Sequence, residues 1–186
     1  MQTKNVLVPL AEGFEEAEFI GIVDVLRRAG LQVIIASLDK KNLVKGTNNI
    51  VVQADTALQD VAIEALDAIC LAGGFEGMQN LNNNEKILHI ISELHKKGKL
   101  VAAICASPIV LSKAGVIAGD FTCYPGCEIG IAGNRLAKAV VVNGNVITSA
   151  GPATAILFGL EIAKYLCGHE TYKNLYEGMQ MPLVRA

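Results

Sequence analysis

A mostly parallel β-sheet with helices on both faces, an α/β fold, is predicted by three features of this chain. Short aliphatic runs alternate with helical stretches from residue 5 to about residue 179. Those runs are apolar at nearly every position, which marks strands buried on both faces. The first strand, helix and strand are complete within 37 residues, and a right-handed crossover makes two such strands parallel.

The elements follow in order. "NVLVPLA" (5–11) reads as the first strand. Phe19, Ile22, Val23 and Leu26 then recur at i, i+3, i+4 and i+7, the stripe of an amphipathic helix. Glu15, Glu16 and Glu18 crowd its first turn, Arg27 and Arg28 its last, and Gly30 follows as a stop, as the helix dipole favours. "LQVIIAS" (31–37) is the second strand, and "NLVKGTNNIVVQAD" reads as a hairpin turning near Gly46–Asn49. "DAICLAGG" (67–74) is a buried strand ending in a glycine pair, and "NNNEKILHIISELHKKGK" is a helix closed by Gly98. "LVAAIC" (100–105) is another buried strand, with a helix expected from about Ala106 to Ala114. Short β segments are expected near 120–123, 139–142 and 145–149, the last two around the turn signal "NGN". "PATAILFGLEIAKYLCG" is a largely buried helix, and a last helix covers about 169–179. No repeat, low-complexity segment or linker interrupts the pattern, so one domain over residues 1–186 is expected.

Composition narrows the function classes. Apolar residues make up 52% and charged residues 18%, a compact globular balance. A net charge of −2 gives no electrostatic footprint for nucleic acid or an anionic membrane. No apolar run reaches the roughly 20 residues a bilayer span needs, and no export signal opens the chain. The five cysteines are odd in number and form no C-x-x-C, which reads as free thiols in a reducing cytoplasm. Cys123 and Cys127 are four apart but far in sequence from His89, His95 and His169, so no metal site is expected.

In an open parallel sheet, ligands bind beyond the carboxyl ends of the strands. Loops starting there carry "AEGFEEAE", "AGGFEG" and Cys105. Cys105 has two readings. One is a small buried hydrophobe. The other is a nucleophile elbow, because "AICAS" sets it among small residues at a strand-to-helix corner. On the second reading, the following helix N-terminus lowers the thiol pKa. Gly73 and Gly74 read equally as a tight turn or as bare backbone donors for an oxyanion. Glu15 and Glu18, three apart on one helix face, are either first-turn acids or include a pocket carboxyl with a raised pKa. Cys70 and Cys167 read as packing residues. No histidine lies at these strand ends, and no G-x-G-x-x-G or Walker pattern is present, so neither a Cys–His pair nor a nucleotide cofactor is expected.

With "AEGFEEAE", "VDVLRRAG", "LAGGFEGMQNL", "AAICASP" and "TSAGPATAILFGLEI" together, the chain resembles the ThiJ/PfpI superfamily, most closely its Parkinson-associated deglycase branch. The resemblance covers nearly the whole chain. It implies a flavodoxin-like three-layer sandwich and a homodimer to which the first helix contributes. It also implies cofactor-free glyoxalase, deglycase, chaperone or oxidative-stress roles, with older labels of thiamine biosynthesis and proteolysis. Carried over by motif, Cys105 is the reactive cysteine and Glu18 the acid hydrogen-bonded to its sulfur. Gly73, Gly74 and Ala106 are the backbone donors, and Glu15 lies at the pocket mouth. Three positions depart from the pattern: Tyr124 stands where relatives carry histidine in T-x-H-P, Ala72 replaces a proline, and Asn48 aligns with an arginine. Without that histidine a peptidase lacks its base, whereas a glyoxalase needs only the Cys105 thiolate and Glu18. Tyr124 retains a hydrogen-bond donor. The expected substrates are small carbonyls such as methylglyoxal, or glycated protein side chains.

Overall fold

The computed structural model describes residues 3–184. Residues 1, 2, 185 and 186 of the expected domain lie outside that range. The first aliphatic run forms β1 (Asn5–Leu10), buried from Val6 onward. Helix α1 (Glu16–Arg28) follows and buries the stripe of Phe19, Ile22, Val23 and Leu26. The chain returns through β2 (Gln32–Ser37), parallel to β1 over six paired residues. A hairpin of β3 (Leu43–Lys45) and β4 (Val51–Gln53) comes next, turning through Asn49 at φ 66°. The two-residue β5 (Thr56–Ala57) then edges the sheet beside β2.

The buried run "AICL" is β6 (Ala68–Leu71), which crosses to the far side of β1. Helices α2 (Phe75–Asn82) and α3 (Glu85–Lys96) lead to β7 (Leu100–Ile104), every residue of which is buried. After α4 (Pro108–Lys113), β8 (Asp120–Phe121) pairs with β9 (Asn134–Arg135) as a small separate sheet. A second hairpin, β10 (Val140–Asn143) and β11 (Val146–Ser149), adds β11 parallel to β7 and leaves β10 antiparallel at the edge. Helices α5 (Ala155–Cys167) and α6 (His169–Gly178) complete the chain.

The main sheet runs β10-β11-β7-β6-β1-β2-β5. Strands β2-β1-β6-β7-β11 carry the 2-1-3-4-5 order of the flavodoxin-like fold. Helices α1 and α5 pack together, while α2, α3 and α4 form a second group. One apolar cluster runs through the sheet from Val6 to Leu166, and α5 and α6 close a smaller one around Val25, Leu160 and Met181.

Three elements differ from expectation. The strand expected over 67–74 stops at Leu71, because Gly74 turns to φ 86° and caps the unpredicted α2. The helix expected from Ala106 starts at Pro108, after a tight corner. The strand near 120–123 is only Asp120–Phe121, its partner β9 having no apolar pattern to reveal it. The consequence for function lies between β1 and β6. Chain direction across the sheet switches there, opening a crevice beyond the carboxyl ends of the strands.

Candidate active site

Three loops meet at that crevice: 11–15 after β1, 72–74 after β6, and the corner after β7. Cys105 makes the corner. Its φ of 63° is left-handed, a conformation costing a non-glycine residue on the order of 1 kcal/mol. The surroundings hold it there. Its amide donates to the Ser149 carbonyl at 3.0 Å, and its own carbonyl accepts from the Tyr124 amide at 2.9 Å. Ser107, two residues on, donates its buried hydroxyl to the Ala72 carbonyl at 2.6 Å, clasping the second loop to the third. The Glu15 amide donates to the Gly73 carbonyl at 3.0 Å, tying the first loop to the second.

The carboxylates divide by orientation. Glu15 caps α1, accepting from the Glu18 amide at 2.7 Å. Glu16 points to the β3–β4 turn, where it accepts from the Asn48 amide at 2.6 Å, the Asn48 side chain at 3.0 Å and the Ile50 amide at 3.3 Å. Glu18 turns inward and is fully buried. Its Oε2 accepts from the Gly73 amide at 2.7 Å, while Oε1 has no hydrogen-bond partner among the described residues. What the carboxyl faces is the Cys105 thiol.

Gly73 must be glycine for space. A Cβ there would lie 2.6 Å from the Cys105 Cβ and 2.7 Å from Glu18 Oε2. The Gly73 amide, expected among the sulfur's donors, is engaged by Glu18 instead. The Gly74 and Ala106 amides do face the sulfur. Tyr124 is half-exposed, and its ring meets Phe75 edge-on at 6.3 Å and 85°.

Burial raises the Glu18 pKa from 4.5 to about 7, against the lowering effects of the Cys105 and Gly73 hydrogen bonds. The Cys105 thiol is pushed up to about 12, first by burial and then by the Glu18 charge. This corrects the expectation that a helix N-terminus would lower it. Helix α4 has only six residues and begins beyond the corner. The opposing help from the Gly74 and Ala106 amides is smaller than the penalty of burial. The resting sulfur beside an ionised Glu18 is therefore a thiol, and its proton must pass to the carboxylate before it can attack.

No histidine of the chain approaches this pocket. His89 and His95 lie on α3, with the His95 carbonyl bound by Asn145 near the amino ends of β7 and β11. His169 stacks on Tyr172 in α6. Ser107, Phe75 and the role of Glu16 as a hairpin cap are not among the site features expected from the sequence. Phe75 carried a visible signal, a large apolar residue directly after the glycine pair.

The DJ-1/PfpI family model matches residues 4–165. The chain belongs to the DJ-1/PfpI family. It is 39% identical over 181 residues to Protein dj-1beta of Drosophila melanogaster, covering 95% of this chain and 97% of that protein. The crystal structure of that DJ-1 protein superposes with a TM-score of 0.92 at 38% identity, over 96% of this chain and 98% of its own. The Parkinson disease protein 7 homolog of Danio rerio is 36% identical over 176 residues, covering 91% of this chain and 93% of the homolog. An oxidized DJ-1 from Toxoplasma gondii superposes with a TM-score of 0.87 at 32% identity, covering 96% of this chain and 98% of its own. DJ-1/PfpI membership agrees with the resemblance seen in the sequence.

Proposed function

We propose that this chain is a cysteine-dependent, cofactor-free glyoxalase and deglycase-type protein of the cytoplasm, acting on reactive carbonyls in stress protection. One observation carries the reading. A buried carboxyl with a pKa of about 7 sits against a thiol on a left-handed corner, at the sheet's ligand-binding edge. A group titrating near 7 both takes and returns protons efficiently at neutral pH.

With methylglyoxal, the Glu18 carboxylate takes the Cys105 proton as sulfur attacks the aldehyde carbon. The new oxyanion lies toward the Gly74 and Ala106 amides and receives that proton, giving a hemithioacetal. Glu18 then removes the hydrogen from the former aldehyde carbon to give an enediol and delivers a proton to the neighbouring carbon, while the hydroxyl proton of carbon one passes to the oxygen of carbon two. The product is a lactoyl thioester, which water cleaves to lactate and free thiol. Carbon one is oxidised and carbon two reduced, so no external electron carrier is needed. Early carbonyl adducts of Cys, Lys or Arg side chains undergo the same attack.

The test is lactate formation from methylglyoxal by wild type, Cys105→Ser and Glu18→Gln. Lactate from wild type alone is expected. Equal consumption by Cys105→Ser, or no lactate from wild type, would overturn the reading.

A second reading, an oxidative-stress sensor or holdase without turnover, is favoured by the same acid. Peroxide oxidises the thiol to sulfenic and then sulfinic acid, releasing water at each step. Protonated Glu18 and the Gly74 and Ala106 amides are suited to hold that sulfinate. The oxidized state of the Toxoplasma relative supports it. Mass spectrometry after mild peroxide treatment decides: sulfinate confined to Cys105 is expected, and oxidation spread over all cysteines would sink it. A peptidase reading lacks its base, because none of the chain's histidines lies near Cys105.

We also propose a homodimer through α1 and the β3–β4 hairpin. Ile20, Ile50 and Val51 are about half-exposed there, and Glu16, one turn before Ile20, is hydrogen-bonded to the hairpin. No helix among the described residues is long and apolar enough to cross a membrane.

A further inference from the structure

Phe75 and Tyr124 bear no load in the core. Phe75 is 60% exposed and Tyr124 43% exposed, yet their rings are paired edge to face. Each is fixed to the thiol's immediate surroundings. Phe75 follows Gly74, whose amide faces the Cys105 sulfur, and it opens α2 beyond the end of β6. Tyr124 donates its amide to the Cys105 carbonyl, and its ring lies over Gly151, beyond the end of β11. Strand order places β7, which ends at Cys105, between β6 and β11. The two rings therefore meet across the end of β7, one reaching from the β6 flank of the thiol and the other from the β11 flank.

Exposed aromatics cost solvation unless something apolar covers them, and a paired ring wall offers both a face and an edge to a third ring. We infer that Phe75 and Tyr124 form a specificity element that selects carbonyl substrates carrying an aryl or similarly flat apolar group over small alkyl dicarbonyls. The inference rests on the proposed attack of Cys105 on carbonyls, and it adds the substrate class. The cost of losing one such apolar contact is a selectivity of about ten-fold or more.

Two measurements separate this inference from the reading beneath it. The first compares kcat/KM for phenylglyoxal and methylglyoxal in wild type, Phe75→Ala, Phe75→Leu and Tyr124→Leu. The second compares alkylation of Cys105 by N-benzyl iodoacetamide and iodoacetamide, followed on the Cys105 peptide by mass spectrometry. Here sulfur displaces iodide and no turnover is required. Wild type is expected to prefer the aryl reagent in both assays. The aryl-to-alkyl ratio is expected to fall about ten-fold in Phe75→Ala and Tyr124→Leu, and less in Phe75→Leu. An unchanged ratio in Phe75→Ala would overturn the specificity element. Absence of turnover with an intact alkylation preference would overturn the carbonyl chemistry and leave the aryl site standing.

Discussion

At the scale of single residues, Glu18 holds the protein's most consequential proton. Its folded pKa of about 7 lies above the 4.5 of an ordinary glutamate, so the folded state binds this proton more tightly than the unfolded chain. Glu18 therefore contributes stability that is complete below pH 4.5 and is lost as pH rises through about 7. The shift corresponds to about 3 kcal/mol. Glu18→Gln, which carries no charge to bury, is expected to melt higher than wild type at pH 8, with the gap closing toward pH 5. Thermal unfolding at both values checks this, and a gap that widens at low pH would contradict it. Activity runs the other way, because the ionised carboxylate is the base: wild-type kcat/KM for methylglyoxal is expected to rise with pH around a midpoint near 7. The corner position of Cys105 is legible in the sequence because small neighbours announce it. Its high pKa is not, since a helix start shows in the letters and burial beside an acid does not. Which of Glu15, Glu16 and Glu18 turns inward is likewise settled only by the fold: one caps α1, one holds a hairpin and one meets the sulfur.

At the scale of elements, Glu16 gives the β3–β4 hairpin its anchorage. Burial works to raise its pKa, but hydrogen bonds from its own amide, Asn48 and Ile50 together hold it below the usual value. Glu16→Ala leaves those donors without their acceptor, at a cost of about 2 kcal/mol. Faster hydrogen exchange at Asn48 and Ile50, with β7 unchanged, is the expected result. Uniform loss of protection would instead mean that the hairpin unfolds only with the whole domain. The strands β1, β2, β6 and β7 are readable because burial on both faces writes itself as largely aliphatic sequence, whereas β11, which ends in Thr148 and Ser149, is announced by the NGN turn before it. Helix α2 is not readable. "FEGMQNLN" carries a glycine and two asparagines, and it is held by tertiary contacts: the Gly77 amide donates to the Gly13 carbonyl, and Met78 and Leu81 are buried. Strands β5 and β9 have two residues each, too short for any period to show, while β8 is expected near 120–123 but forms only over Asp120–Phe121.

At the scale of the whole molecule, the topology brings together residues that are far apart in sequence. Residues 11–18, 72–74 and 105 converge only because β1, β6 and β7 are neighbours in the sheet. Their clasping hydrogen bonds assemble the pocket before any ligand arrives. The proposed dimer belongs to this scale. Wild type is expected to sediment as a dimer and an Ile20→Glu, Val51→Glu double variant as a monomer, and a monomeric wild type would refute it. The margins of the sheet are unequal as well. Strand β5 is two residues long, too short to template another chain. Strand β10 has four residues, exposes half of Val142, and has its outer side tied down chiefly at Asn143, which bonds the Ala118 and Asp120 carbonyls. The hazard of edge-to-edge aggregation in a concentrated solution is accordingly concentrated at β10, on the opposite side of the sheet from β5.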